Sequence, residues 1–463
     1  MPPQKVLVRF QTMKTFPDQL SLIHSSTVNG VTSGFRDSAF TRNRDLPIHR
    51  WVPWIAGFSA QFVDDCLLKY LKNVDRKTTW ILDPFAGVGT TLLEGYIHGF
   101  NVVGFEINPY AELAARTKLQ AGEVSPKVLK AQIVGFAKFM EKRCSSSDAM
   151  PRSRPPSGFS GRTELFSPAV QRKVLFALDY INAIGTPAIR NLFRLALGSV
   201  MVSFSNYSYE PSLTRRCAVE KQPITDADVS LVLQKKLSLM AQDVEWLRER
   251  ISRKPLSKVY AESFFSAREK LKRETFIDLL VTSPPYLNNY HYPRNTRPQL
   301  HWLGFASGPG YEGAKESKSF GKFWQTVRDR EPVVLSFCLP ELAEVVTKIH
   351  GRNMAKGAYG GPGWANYVAT YFNDTLQFWR VAASLLKPNA VAVVVLGNSI
   401  IQGVEVRTDY FFGKIAEQCG LKFEETLRLR DKRTGTSIIQ SSVRTDKAAI
   451  KTVLYESAIV VRS

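Results

Sequence analysis

The sequence is poor in the residues that build metal centres and disulfide frameworks. Its five cysteines (Cys66, Cys144, Cys217, Cys338 and Cys419) are scattered, and none falls in a Cys-x-x-Cys pair. The six histidines are equally dispersed. Neither a zinc site nor a metal-dependent chemistry is expected, and the odd, unpaired cysteine count fits a reducing, cytoplasmic compartment. No apolar run approaches the roughly 18 residues of a membrane helix, and Met1–Arg9 lacks the apolar core of a secretory leader. Acidic residues are also scarce beside basic ones: 41 Asp and Glu face 62 Lys and Arg, a net charge of +21. A surplus of that size is the electrostatic footprint of a polyanion binder, with nucleic acid ahead of other partners.

What is present is an ordinary globular composition. At 463 residues, 44% hydrophobic and 22% charged, the chain can bury a sizeable core and two or three domains' worth of mass. Residues 1–48 are polar and basic, with Arg36, Arg42 and Arg44 near their end, and read as a loose arm. An aromatic-rich entry loop, His49 to Ser59, follows, and Ser59 is placed to cap a helix running to about Lys72. The pattern then becomes strand–turn–helix–strand: Thr79–Leu82, a glycine turn, Leu92–Gly99, and Asn101–Phe105 ending in Glu106-Ile107-Asn108-Pro109, with a helix from Tyr110 to about Gln120. Residues 144–163, rich in Pro, Ser and Arg, read as a mobile linker. Residues 165–255 are mainly helical by periodicity, over Val170–Ile184, Ala188–Phe204 and Asp226–Ile251. Strand patterns resume at Lys258–Tyr260 and Phe276–Thr282, and residues 287–364 form a long polar and aromatic insertion without regular structure. A helix over Ala365–Leu386, a strand over Ala390–Leu396, a helix over Asp409–Cys419 and an antiparallel pair around Phe423–Leu429 and Lys451–Val461 complete the chain.

Two turns carry chemistry. The first, Asp83-Pro84-Phe85-Ala86-Gly87-Val88-Gly89-Thr90-Thr91, follows a strand and opens a helix. Its glycines let a backbone approach a ligand, and the helix start offers free N–H groups. It is no P-loop, because Gly-Lys-Ser/Thr does not follow, and no dinucleotide GxGxxG either. Glu106, at the end of the next strand, can accept both hydroxyls of a ribose. Asp83 as a simple helix cap and Glu106 as a solvated strand end remain open for each residue alone. The second turn, Thr282-Ser283-Pro284-Pro285-Tyr286, ends an apolar strand because two prolines cannot donate to a ladder. A hydroxyl and a free carbonyl side by side can hold the two hydrogens of an aryl amino group, and an aromatic ring can stack on a flat base.

Together these turns resemble the cofactor-binding and catalytic motifs of the amino-methylating DNA methyltransferases, over roughly residues 50–120 and 258–460. The first turn is similar to their S-adenosylmethionine motif and Ser283-Pro284-Pro285-Tyr286 to their catalytic motif, with Ser at its first position as in the cytosine-N4 branch. The resemblance implies an α/β class I methyltransferase (Rossmann-like) fold with a mostly parallel seven-stranded sheet. It divides the chain into an arm (1–48), a catalytic domain (49–124 and 256–463) and a mainly helical insertion (125–255), the candidate target-recognition region. It implies S-adenosylmethionine as cofactor, held by Asp83, Pro84, Phe85, Ala86, Gly87, Gly89, Thr90 and Thr91, by Glu106, Ile107 and Asn108, and by Phe58, Ser59, Glu262 and Ser263. Ser283, Pro284, Pro285 and Tyr286 are the implied catalytic residues. Asn289, Tyr290, His291 and Tyr292, with Asn398 and Ser399, are placed to touch a flipped base, and Arg428 and Arg430, in a basic cluster with Lys432 and Arg433, to touch phosphates. The implied partners are double-stranded DNA and a cognate restriction endonuclease.

The covalent route of cytosine-C5 enzymes is unexpected, since none of the five cysteines follows a proline. Adenine-N6 methylation of DNA is the runner-up. A tRNA guanosine-N2 enzyme and a non-catalytic nucleic-acid-binding module stand further back.

Overall fold

A computed structural model describes residues 27–28, 31–32, 35–36, 40–54, 57–157, 159, 164–210, 212–288, 292–306, 308, 311–431 and 454–463. Helix α1 (Ala60–Tyr70) begins where Ser59 Oγ accepts the Phe62 N–H at 3.1 Å. Then come β1 (Trp80–Asp83), α2 (Thr90–Ile97), β2 (Asn101–Phe105) and α3 (Pro109–Gln120). Gly99, at φ 84°, stops α2 in the left-handed conformation that glycine adopts without strain. The insertion supplies α4 (Pro126–Ser145), α5 (Pro168–Ala183), α6 (Pro187–Val200) and α7 (Val229–Arg250). After it the chain returns to the sheet with β3 (Ser257–Tyr260), α8 (Ala267–Leu271) and β4 (Ile277–Thr282). Helices α9 (Tyr292–Trp302), α10 (Tyr311–Glu316), α11 (Pro340–His350) and α12 (Gly361–Leu385) lead to β5 (Leu386–Gly397), α13 (Thr408–Glu417), β6 (Lys422–Asp431) and β7 (Tyr455–Arg462).

The sheet runs β6-β7-β5-β4-β1-β2-β3. Neighbours from β3 to β5 are parallel, and β7 pairs antiparallel with both β5 and β6. Chain order reverses between β1 and β4, so their carboxyl ends flank the switch point where open α/β sheets bind ligands. Side chains alternate across the sheet as period two demands. Ile81, Val102, Leu279, Val281, Val391, Val393 and Val395 pack on one face with α1 and α2. Leu82, Val103, Leu280, Ala392, Val394 and Leu396 pack on the other with α12 and α13. Both faces are covered, which is why these strands read as unbroken apolar runs.

A third core joins the insertion to α2, α3 and α9, through residues such as Leu93, Tyr110, Phe136, Phe193, Leu237 and Trp302. A buried carboxylate pins the entry loop to this layer. Asp243, on α7, accepts from the Ile48 N–H at 2.8 Å, the Arg50 guanidinium at 2.5 Å and Trp51 Nε1 at 2.9 Å. A buried acid so fully satisfied fixes geometry; removing it would strand the opposing donors.

Three expectations are corrected. The part of the arm that is described is not loose: Phe35 is buried, Arg36 pairs with Asp64 and Asp65, and Asn43 Oδ1 accepts the Ala60 N–H at 2.9 Å. Residues 287–364 are not irregular throughout, since α9, α10 and α11 lie there. The 144–163 stretch is anchored where it is described, because Asp179 accepts the Arg152 and Ser153 N–H groups and Arg172 donates to the Ser146 and Ala149 carbonyls. No described helix is long and apolar enough to cross a membrane.

Candidate active site

The two motif turns stand side by side because β1 and β4 are neighbours in the sheet. Thr282 Oγ1 donates to Asp83 Oδ1 at 2.6 Å, and Thr91 Oγ1 donates to the Val281 carbonyl at 3.1 Å. Residues 199 and 190 apart in sequence thus lock one turn to the other. Asp83 also accepts the Phe85 N–H at 3.1 Å and is buried; burial pushes its carboxyl up to about 6, against the pull of these hydrogen bonds. It shapes the turn rather than lining the cleft. Gly87 and Gly89 take φ 50° and 83°. A Cβ on Gly89 would stand 2.9 Å from that of Ala115, so glycine is what lets α3 lie against the start of α2.

A cleft of about 1130 Å³, including its open mouth, lies at this edge. Pro84, Phe85, Gly87, Glu106, Ile107, Asn108, Glu262, Ser263, Ser283 and Pro285 all line it. One groove therefore gathers the glycine turn, the ends of β2 and β3 and the Ser-Pro-Pro turn. Glu106 Oε2 accepts the Gly87 N–H at 2.8 Å and Oε1 the Asn108 N–H at 2.7 Å. Burial raises its carboxyl to about 7; the two N–H groups oppose the rise, and the nearby Asp83 and Glu112 carboxylates add to it. Asn108 caps α3 through its Oδ1, and its Nδ2 donates to Thr296 on α9 at 2.7 Å. Glu262 is half-exposed and pairs with Lys270 at 3.1 Å; Ser263 caps the short turn before α8.

In the catalytic turn, the Ser283 hydroxyl is half-buried and hydrogen-bonds no described residue. The Pro285 carbonyl accepts from Tyr371 Oη at 2.9 Å. Tyr286 Oη donates to Glu456 Oε1 at 3.1 Å, and Arg430 Nε donates to Glu456 Oε2 at 2.5 Å. The Tyr286 ring is thereby held by β7.

Some expected site residues lie elsewhere. Phe58 and Ser59 are buried away from the cleft, Phe58 against Phe62 and Ser59 as the α1 cap. Ala86 and Thr91 are buried behind the turn, while Thr90 is the first residue of α2. Asn398 and Ser399 are buried too; Asn398 bonds Glu405 and the Tyr455 N–H, and Ser399 pairs with Val406. Arg428 pairs with Asp431 and Arg430 with Glu456. Asn289, Tyr290 and His291, like Lys432 and Arg433, lie outside the described residues, as does the Tyr292 side chain.

Several lining residues were not foreseen. Trp54 comes from the aromatic entry loop, whose composition was a usable signal. Phe264 and Leu300, with Tyr311, Lys315, Glu316, Ser319, Phe320 and Gly321, form the opposite wall. Phe320 packs edge-on to Phe85 with ring centroids 5.2 Å apart, and Phe378 stacks on Phe85 at 5.7 Å.

A methyl donor made of an adenine, a ribose and a sulfonium amino acid needs an apolar slot, a diol acceptor and a backbone that lets it come close. Phe85, Ile107 and Phe264 would supply the first, Glu106 the second and Gly87, without a Cβ, the third, so the residues fit. Sheet order and cleft together define a class I methyltransferase fold. No family model matches the chain. It is 23% identical to the type II methyltransferase M.BsoBI of Geobacillus stearothermophilus, over 86% of this chain and 83% of that one. It is 22% identical to M.AvaI of Nostoc sp. and of Anabaena variabilis, over 89% of this chain and 86% of theirs. M.MvaI of Kocuria varians is 25% identical over 57% of this chain and 59% of its own length. The chain's homologues are thus type II methyltransferases at low identity, and S-adenosylmethionine is the methyl donor.

Proposed function

We propose that the chain methylates the exocyclic N4 amino group of cytosine within a specific sequence of double-stranded DNA, on a base flipped out of the duplex. The observation that carries this reading is that Ser283 and Pro285 open onto the same cleft as Gly87 and Glu106. Bound S-adenosylmethionine supplies an electrophilic methyl group. The protein's part is to hold the amino nitrogen in line with it. Ser283 Oγ and the Pro284 carbonyl accept the two amino hydrogens, which withdraws the lone pair from the ring and aims it at the methyl carbon. The nitrogen would gain the methyl group as the sulfonium S–C bond breaks to leave the thioether S-adenosylhomocysteine, and one amino proton would pass to solvent. Positioning and electrostatics supply most of the rate, with no covalent enzyme intermediate. Tyr286, held by Glu456, offers a face for the extruded base.

Serine at the first position of the Ser283-Pro284-Pro285-Tyr286 turn favours cytosine over adenine. The helical insertion between β2 and β3 is assigned to sequence reading. A restriction endonuclease of the same specificity is the implied companion, in the cytoplasm.

The test is to incubate the protein with labelled S-adenosylmethionine and duplex DNA of defined sequence, then identify the product nucleoside by mass spectrometry. N4-methylcytosine is expected. N6-methyladenine would overturn the choice of base, and label entering tRNA but not DNA would overturn the substrate.

A further inference from the structure

A second concavity lies on the far side of α9 from the cleft. Leu300 faces the catalytic cleft, whereas His301 and Trp302, the next two residues, line a groove of about 1580 Å³, including its open mouth. Its walls are α3, α5, α6, the 153–157 stretch, residues 301–304, Ala306 and Gly308. Four arginines line it (Arg116, Arg154, Arg190 and Arg194), with Asn182 and Asn191 beside them and no acidic residue among the described ones. Three of the guanidinium groups are partly buried, and Arg154 is exposed at the rim.

The arginines differ in what holds them. Arg116 is paired with Glu112 at 2.7 Å. Arg194 donates to the Leu303 carbonyl at 2.7 Å and lies over the Phe305 ring, with no carboxylate partner. Arg154 and Arg190 form no ion pair with a described residue. Burial and the neighbouring charges of Arg116 and Arg190 pull the Arg194 guanidinium below its ordinary value. The fold has therefore collected four guanidinium groups in one concave place, where Glu112 is the one carboxylate paired to any of them among the described residues, an arrangement that an external anion relieves. Arginine forks and asparagine amides are the donor set that binds phosphate oxygens without reading base identity.

We infer that this groove is a phosphodiester-backbone site, which seats one strand of the duplex beside the base presented to the cleft. The inference rests on the DNA-methyltransferase reading above and adds to it where the duplex lies. A continuous strand fits better than a small free anion on two grounds. The groove is open and far larger than a single phosphate, with Arg154 exposed and Arg194 partly buried. In addition, α9, the first helix after the Ser283 turn, lines the cleft through Leu300 and this groove through His301 and Trp302.

The experiment compares wild type with Arg154→Ala/Arg190→Ala, using a fluorescent duplex that wild type methylates. Its dissociation constant is measured between about 50 and 200 mM salt, the range over which phosphate contacts tell. Each phosphate contact contributes about 0.9 to the slope of log K against log salt. The double variant should bind on the order of tenfold more weakly, with a slope shallower by about 2. S-adenosylmethionine affinity, melting temperature and the identity of the methylated nucleoside should stay as in wild type. Arg154→Lys/Arg190→Lys should recover most of the slope.

Unchanged affinity and slope in the alanine variant, with wild type still methylating DNA, would overturn the groove and leave the function reading intact. Failure of wild type to methylate DNA would instead overturn the function reading. Millimolar inorganic phosphate protecting the wild type but not the double variant against heat, with duplex affinity equal in both, would make the groove a small-anion pocket and also overturn the inference.

Discussion

Cofactor affinity should weaken as pH falls below neutrality, through Glu106. Both of its carboxylate oxygens already accept backbone N–H groups, at 2.8 Å from Gly87 and 2.7 Å from Asn108, and burial lifts its carboxyl to about 7. The ribose hydroxyls are donors, so the cofactor binds the deprotonated form. For a group of that pKa the dissociation constant scales as one plus the ratio of protonated to deprotonated carboxyl. Between pH 8 and pH 6 it should rise about tenfold, roughly 1.4 kcal/mol. The stability of the empty protein runs the other way. A folded-state value raised above the ordinary 4.5 means that Glu106 contributes stability at acid pH, below 4.5, which is lost as pH rises through about 7. Glu106→Gln separates the two effects. Whichever way the amide is turned, its NH₂ faces either the Gly87 or the Asn108 N–H, leaving a donor unsatisfied at a cost of about 1–3 kcal/mol. The variant should bind S-adenosylmethionine at least tenfold more weakly and show no pH slope between 6 and 8. Titration calorimetry across that range decides it. A wild-type constant that is flat from pH 6 to 8, or a slope that survives in Glu106→Gln, would refute the ribose role.

Ser283→Ala should cut the single-turnover rate of methyl transfer about 100-fold or more while S-adenosylmethionine affinity stays near wild type, because its hydroxyl holds no described residue and its loss leaves the fold intact; rapid-quench assays with labelled cofactor would show it. Glu456→Gln should keep an acceptor for Tyr286 Oη and stay within a few-fold of wild type, whereas Glu456→Ala frees the ring and should raise KM for DNA more than it lowers kcat; equal kinetics in the two variants would count against a held ring. Gly89→Ala must accommodate φ 83° and a Cβ 2.9 Å from Ala115 Cβ, so it should destabilise by on the order of 2 kcal/mol or more, read as a lower urea midpoint.

Much of this architecture was legible because it is written locally. Val391, Val393 and Val395 face one layer and Ala392, Val394 and Leu396 the other, so a continuous apolar run correctly announced a strand buried on both sides. The Ser59 and Gly99 stop and start signals act within four residues of the helix they bound. Helix α4 was equally available, with Leu129, Ile133, Phe136 and Met140 at helical spacing; it falls in the insertion read as mainly helical, though no separate helix was placed there. Residues 287–364 read as irregular from their polar and aromatic composition, yet their prolines are compatible with helices. Pro340 sits at the start of α11, where a missing N–H costs nothing, and Pro298 is accommodated inside α9.

Contacts between distant positions were beyond the reach of pattern. The glycine turn and the Ser-Pro-Pro turn were both recognised, but not the Thr282–Asp83 hydrogen bond that couples them across 199 residues. The charge argument shows the same limit more sharply. A run of basic residues at 428–433 looked like a phosphate track because its members are adjacent in sequence. In the fold, Arg428 finds Asp431, and Arg430 finds Glu456 on the neighbouring strand. Arg154 and Arg190 sit 36 positions apart, Arg154 in the Pro-, Ser- and Arg-rich stretch and Arg190 on α6, yet they share one groove with Arg116 and Arg194, and neither forms an ion pair with a described residue. A surplus of +21 counts cations without saying which are already neutralised by a partner, and only the unneutralised ones can release counterions from DNA. Where the duplex lies is therefore a question about pairing in three dimensions, settled by which arginines the fold leaves without a carboxylate, and adjacency along the chain does not show that.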